Sequence, residues 1–193
     1  MKSWKPCLLA AAISLAAAVA ALSFPSARAA GATYKVDTVH STLIFKIKHM
    51  GAANFYGRFN TISGTFTLDG GPFEFEVKAD SVDTGNQKRD EHLKGPDFFN
   101  VRQFPAIAFK GKDVKKAGDK SYEIAGDLTL HGVTKPIQVK SEQTGTGKNQ
   151  QGKNIIGIES TFTIKRSDFG MNYGQGALGD DVHVIVSTEC AES

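Results

Sequence analysis

Five histidines, at positions 40, 49, 92, 131 and 183, are the side chains best suited to acid–base or metal chemistry near neutral pH. They show no close ligand spacing, so no metal site is expected. Ser41 follows His40 directly, but strand neighbours point to opposite faces and cannot form a hydrogen-bonded dyad. Ser167-Asp168 follows Arg166 and has no evident histidine partner. No G-x-S-x-G elbow, H-E-x-x-H pair or phosphate-cradling loop is present, so no catalytic residue is expected. Cys190 is the one cysteine beyond the leader, where intermolecular pairing is the form of chemistry to check.

The elements that would position these groups alternate with period two. Phe73, Phe75, Val77 and Ala79 oppose Glu74, Glu76, Lys78 and Asp80, and Leu43, Phe45 and Ile47 oppose Thr42, Lys46 and Lys48. Ile62, Gly64, Phe66 and Leu68 continue the pattern, as do Tyr122 to His131, Ile156 to Lys165, and Val182, Val184 and Val186. Turn signals such as Asp69-Gly70-Gly71-Pro72 and Ala117-Gly118-Asp119 separate the runs. The fold class is therefore all-β, a sandwich or barrel, with about eight antiparallel strands closing on themselves. Asn86 to Lys94 lacks the alternation and ends in Gly95-Pro96, which predicts one short helix. That helix is a movable lid or an ion-paired plug.

Residues 1–29 read as a secretory signal: Lys2 and Lys5, an apolar run Leu8–Phe24, then Ala27-Arg28-Ala29 as a cleavage site. The run is shorter than the roughly 20 residues of a spanning helix. Residues 30–193 then form a single exported domain, periplasmic or secreted and not membrane-spanning after cleavage. Its 20 Lys plus Arg balance 20 Asp plus Glu, which leaves no electrostatic footprint for nucleic acid.

Inward faces rich in Phe suit either a plain core or the wall of an apolar cavity, and periodicity leaves both open. As a cavity wall they are Leu43, Phe45, Ile47, Phe66, Phe75, Phe109, Leu128, Phe162 and Ile164. His49 shares parity with Leu43, Phe45 and Ile47 and would meet a quinone carbonyl, an alcohol or a pyrophosphate. Arg58 would supply permanent charge to the same anion. His40, of opposite parity, cannot share a site with His49, and His131 is expected in solvent at a turn.

Five segments together resemble the YceI-like family of bacterial polyisoprenoid-binding proteins: DTVHSTLIFKIKHM (37–50), GRFNTISGTFTLD (57–69), SVDTGNQKRDEHLKGPDFFNVRQFPAIAFK (81–110), LTLHGVTKPI (128–137) and IKRSDFG (164–170), with GDDV (179–182) before the last strand. The resemblance runs from about Tyr34 to Thr188 and departs from the pattern mainly over Tyr173–Gly179. It implies a lipocalin-like, extended antiparallel barrel with one short helix. It also implies a long isoprenoid or other acyl-type lipid held along the axis as ligand, no other cofactor, and a possible homodimer. The other readings are an envelope stress or adhesion protein with a solid barrel, and a hydrolase of lipid esters or pyrophosphates.

Overall fold

The computed structural model describes Met1, residues 31–67 and residues 71–193. Almost all of the expected secretory signal, Leu68 and the first half of the Asp69–Pro72 turn lie outside the described residues. Among the described residues there are ten strands: β1 Thr33–His49, β2 Ala53–Phe59, β3 Ile62–Thr67, β4 Phe73–Lys78, β5 Val82–Asp83, β6 Ala106–Lys116, β7 Ser121–Leu130, β8 Val133–Lys148, β9 Asn154–Lys165 and β10 Leu178–Glu192. Among the same residues one α-helix, α1, spans Gln87–Lys94, and 3-10 turns occupy Ala79–Ser81 and Arg166–Phe169. The helix starts where Asn86 accepts a hydrogen bond from the Arg89 N–H and stops at Gly95, one residue inside the predicted start.

Among the described residues these strands pair antiparallel throughout, and one isolated parallel bridge joins Gln175 to Leu178. The sheet runs β10-β9-β8-β7-β6-β4-β3-β1, and β10 returns to pair with β1, closing an eight-stranded barrel. β1 is long enough to serve three neighbours. Its first residues pair with β3, its second half with β2, and most of its length with β10. Period two then decides what faces inward: Ile124, Leu128 and Leu130 on β7 are buried, as are Ile156, Ile158 and Ile164 on β9.

The barrel's two ends differ. At the end holding the start of β1, Tyr34 stacks on Phe66 with ring centroids 5.6 Å apart and Phe73 meets Phe66 at a tilt, 5.3 Å away, while Val36, Ile124, Ile156 and Cys190 fill the remaining space. This end is solid. At the opposite end β8 pairs with β9 only from Lys140 onward, so Val133–Val139 and Phe162–Lys165 splay apart. Pro136 sits in that unpaired stretch, where a strand proline costs no ladder bond on the β9 side. The β7–β8 connection is a two-residue turn in which His131 and Gly132 both take positive φ, 52° and 75°. His131 is half-buried there, not in solvent as expected. Its Nδ1 lies 3.1 Å from the Phe169 carbonyl and its ring 4.9 Å from Phe104.

Outside the barrel a bulge in β1 gathers Asp37, His40 and Glu189. Parity scanning of histidines alone did not bring these three together, because β10 supplies one of them. The His40 Nδ1 is 3.0 Å from Asp37 Oδ2 and 3.9 Å from Glu189 Oε1. The His40 hydrogen bond holds the Asp37 carboxyl below its ordinary 3.8, helped by the Val39 N–H. The same bond, with the charge of Asp37, raises His40 above 6.5. Asp37's contribution is present above its unfolded pKa and is lost as pH falls through the lowered folded value. That of His40 is complete below its unfolded pKa and is lost as pH rises through the raised folded value. Both act together between about pH 4 and 6.5.

Two outcomes follow. An NMR titration will show His40 deprotonating above 6.5, and Asp37→Asn will return it toward the ordinary value. Cys190 is 0% exposed and burial pushes its thiol up to about 11, so the folded protein will refuse a thiol reagent at pH 8 at this position. Peptide mass spectrometry will find the label on Cys190 only after denaturation.

Candidate functional site

The splayed end of the barrel opens onto an apolar cavity of about 550 Å³. Leu43, Phe45 and Ile47 of β1 line it, with Phe75 of β4, Phe109 of β6, Leu128 of β7, and Phe162 and Ile164 of β9. These eight of the sequence-derived wall residues come together because alternate positions on every strand of a closed sheet converge on its axis. Hollowness depends on where the aromatic rings lie. The Phe45 ring lies across Gly57, its direct cross-strand partner, and the Phe109 ring against Gly126, at positions where a Cβ would collide with it. Both rings therefore rest on the wall, and the lumen stays open between them.

The ninth wall residue, Phe66, is a correction. It points inward but is 0% exposed in the solid end, stacked on Tyr34 and tilted against Phe73, and does not line the cavity. Period two reports the face of a residue and not its level along the axis.

Arg58 is corrected in a different way. On β2 the inward residues are Phe55, Gly57 and Phe59, so Arg58 points outward. There its Nε and Nη2 donate to Asp83 Oδ2 at 3.3 and 3.2 Å, across the β2–β5 pair. Asp83 is held below its ordinary value first by the Gly85 N–H, then by Asn60 and Arg58. His49 does line the cavity, at its exposed rim, on the last residue of β1.

Around that rim lie residues the inward-face survey did not include. α1 has no buried residue, yet Arg89, His92 and Leu93 face the cavity from it. The helix is neither an inserted plug nor detached from the barrel. Phe98 and Phe99 follow, and Phe99 packs edge-on against Phe59 at 5.2 Å. His92, Phe98 and Tyr173 form a ring of mutual edge contacts at 5.1 to 5.2 Å, with His92 Nε2 bound to Asp97 at 2.9 Å.

Arg166, on the 3-10 turn that follows β9, lies at the splayed end. It is 4% exposed, and its guanidinium donates to the carbonyls of Gly179 (2.8 Å), Met171 (2.7 Å), Tyr173 (2.7 Å) and Leu178 (3.3 Å). One buried cation thereby gathers the loop 171–179, the segment where the family pattern is weakest. Next to it, Asp180 accepts from the Ser167 N–H and hydroxyl, which hold its carboxyl below the ordinary range. Backbone carbonyls carry no residue identity, so no spacing rule could have found Arg166.

Within the barrel the polar lining is slight. Ser160 pairs with Ser141 at 2.7 Å, and Thr188 donates to the Ile158 carbonyl at 3.3 Å. No buried side-chain polar atom among the described residues lacks a partner. Such an interior is suited to holding an apolar body. No described helix is long and apolar enough to cross a membrane.

The model of the YceI-like domain matches residues 34–190. A UPF0312 protein of Yersinia pestis is 38% identical over 182 residues, covering 91% of this chain and 94% of that protein. Among solved structures, the YceI protein of Campylobacter jejuni is 33% identical with a TM-score of 0.68, covering 77% of this chain and 91% of that one. A polyisoprenoid binding domain from Saccharophagus degradans, implicated in plant cell wall breakdown, shares the fold at 18% identity and TM-score 0.66, over 83% of this chain and 98% of that one. Both structures share the fold of this barrel, and the chain belongs to the YceI-like domain family.

Proposed function

We propose that this protein binds a single long apolar chain of isoprenoid type in the barrel, for transport or storage in the cell envelope. The observation that carries the reading is the cavity: about 550 Å³, walled almost wholly by aliphatic and aromatic side chains and open at one end. A barrel packed solid, as a purely structural or adhesive envelope protein would have, does not describe this interior. The polyisoprenoid binding domain among the structural neighbours supports the ligand class. The basic and apolar leader with its small-residue cleavage site supports export to the periplasm or beyond. Binding, not turnover, suits a site whose interior hydroxyls are already committed to the barrel.

Affinity in such a site comes from chain length. Each methylene taken from water contributes about 0.8 kcal/mol, or roughly fourfold. At roughly 30 Å³ per non-hydrogen atom, the share of a water molecule in the liquid, the cavity holds about 18 atoms. A longer chain leaves its remainder at the mouth, between α1 and the 171–179 loop.

Protein recovered from the periplasm without detergent will carry a stoichiometric apolar chain by native mass spectrometry. Phe45→Asp, which places a carboxylate on the wall, will lose it while keeping its circular dichroism spectrum. An empty wild-type barrel that also refuses added prenols and quinones would sink the reading. In a calorimetric series of added prenols, affinity will rise from geraniol through farnesol to geranylgeraniol and gain little from longer ones. A continued rise with length would show that the cavity extends on binding.

A further inference from the structure

Resting on the reading of the cavity as a lipid site, we propose that Arg89 makes the mouth selective for an anionic head group, a carboxylate or a phosphate, over a neutral head on the same chain.

Charge around the cavity is one-sided. Its lining contains no Asp and no Glu; its ionisable members are Arg89, Arg166, His49, His92 and Tyr173. All five lie at the open end, on the last residue of β1, on α1 and on the segment that follows β9. An amphiphile with its chain along the axis must leave its head among them.

Three of these groups already have work. Arg166 has spent four contacts on backbone carbonyls, and His92 is bound to Asp97. Tyr173 is held edge-on by His92 and Phe98. The His49 imidazole makes no side-chain hydrogen bond among the described residues, and it stands exposed on the last residue of β1 with nothing to fix its orientation.

Arg89 differs. Its Nε donates to Thr84 Oγ1 at 2.7 Å and its Nη2 to the Thr84 carbonyl at 2.8 Å, and its guanidinium carbon lies 4.5 Å from the centre of the Phe55 ring. Thr84 in turn gives its N–H and hydroxyl to Asp90, so that carboxylate is occupied in holding the Thr84 platform. No carboxylate among the described residues pairs with Arg89, and Nη1, with two N–H donors, has no partner there. The fork is thus fixed in orientation, covered on one face by an aromatic ring, and left with unspent donors beside an apolar cavity. Such a cation favours an oxyanion over a hydroxyl, because charge-assisted hydrogen bonds are the stronger ones.

The test uses one chain with three heads: farnesol, farnesoic acid and farnesyl phosphate, titrated calorimetrically at pH 8 and low salt. The wild-type protein is expected to prefer one or both anions over farnesol by about tenfold to a hundredfold, the range of a hydrogen bond to a charged group. Which anion gains identifies the head. Arg89→Gln should bring the anion-to-alcohol ratio close to one and Arg89→Lys should restore part of it. Lys88→Gln, which removes a neighbouring exposed charge, should leave the ratio as it was. Equal binding of all three ligands by the wild type, or a preference that survives in Arg89→Gln, overturns the proposal and leaves the lipid reading intact. If none of the three binds, the lipid reading itself fails, and the head-group proposal with it.

Discussion

The pairing of β1 with β10 is the constraint on which everything else depends. It joins Thr33–His49 to Leu178–Glu192 and converts eight strands of the sheet into a closed wall, with β2 and β5 extending from β1. An open sheet with these faces would expose a row of unpaired backbone groups at each edge and one apolar surface. Closure satisfies most of the edge and turns the apolar surface inward. It also separates charge from hydrocarbon, since every outward β4 residue is Glu or Lys while the inward ones are Phe and Val. The fidelity of the closure rests on long-range register, with Leu43 opposite Val186 and Phe45 opposite Val184.

A closed eight-stranded barrel can be full or hollow, and small differences decide. Phe66 and Phe73 span the lumen at one end and fill it. Phe45 and Phe109 bring equal volume to the other end, yet their rings occupy the space that a Cβ at Gly57 and Gly126 would take. A side chain at either glycine would push its ring into the lumen, so in this fold strand glycine is a means of keeping space. The usual entropic cost of glycine in a strand is offset by the ring that covers it.

This explains which parts of the molecule were legible in the sequence. Inward and outward faces follow from alternation, and a helix boundary follows from Asn86 and Gly95, so the barrel and α1 were readable from residue types. Axial level was not, because it depends on register between distant strands; Phe66 was therefore placed in the cavity when it belongs to the solid end. The outward position of Arg58 was legible, since Phe55, Gly57 and Phe59 define the inward parity of β2, and the charge of the side chain distracted from it. Arg166 was not legible. It binds carbonyls of a loop whose path is set only by that binding.

Arg166 also shows why the two halves of the mouth differ in stiffness. A buried guanidinium is costly to remove from water unless its donors are satisfied, and here four carbonyls satisfy it. Releasing the 171–179 loop would leave a bare cation inside an apolar wall, so that side of the rim is fixed. The opposite side is held by less. α1 buries no residue, and its rim contacts with Tyr173 are edge-on ring pairs, each contributing about 0.5–1.5 kcal/mol. Breaking those two pairs exposes little new apolar surface, whereas Leu93 and Phe99 tie the helix end to Phe59 and the core. The contacts across the mouth are therefore of two strengths: ring edges of His92 and Phe98 on Tyr173, and four charge-assisted bonds from Arg166 to the loop that carries Tyr173. Arg89 stands on that more lightly held side, its guanidinium over the Phe55 ring and its donors anchored on Thr84.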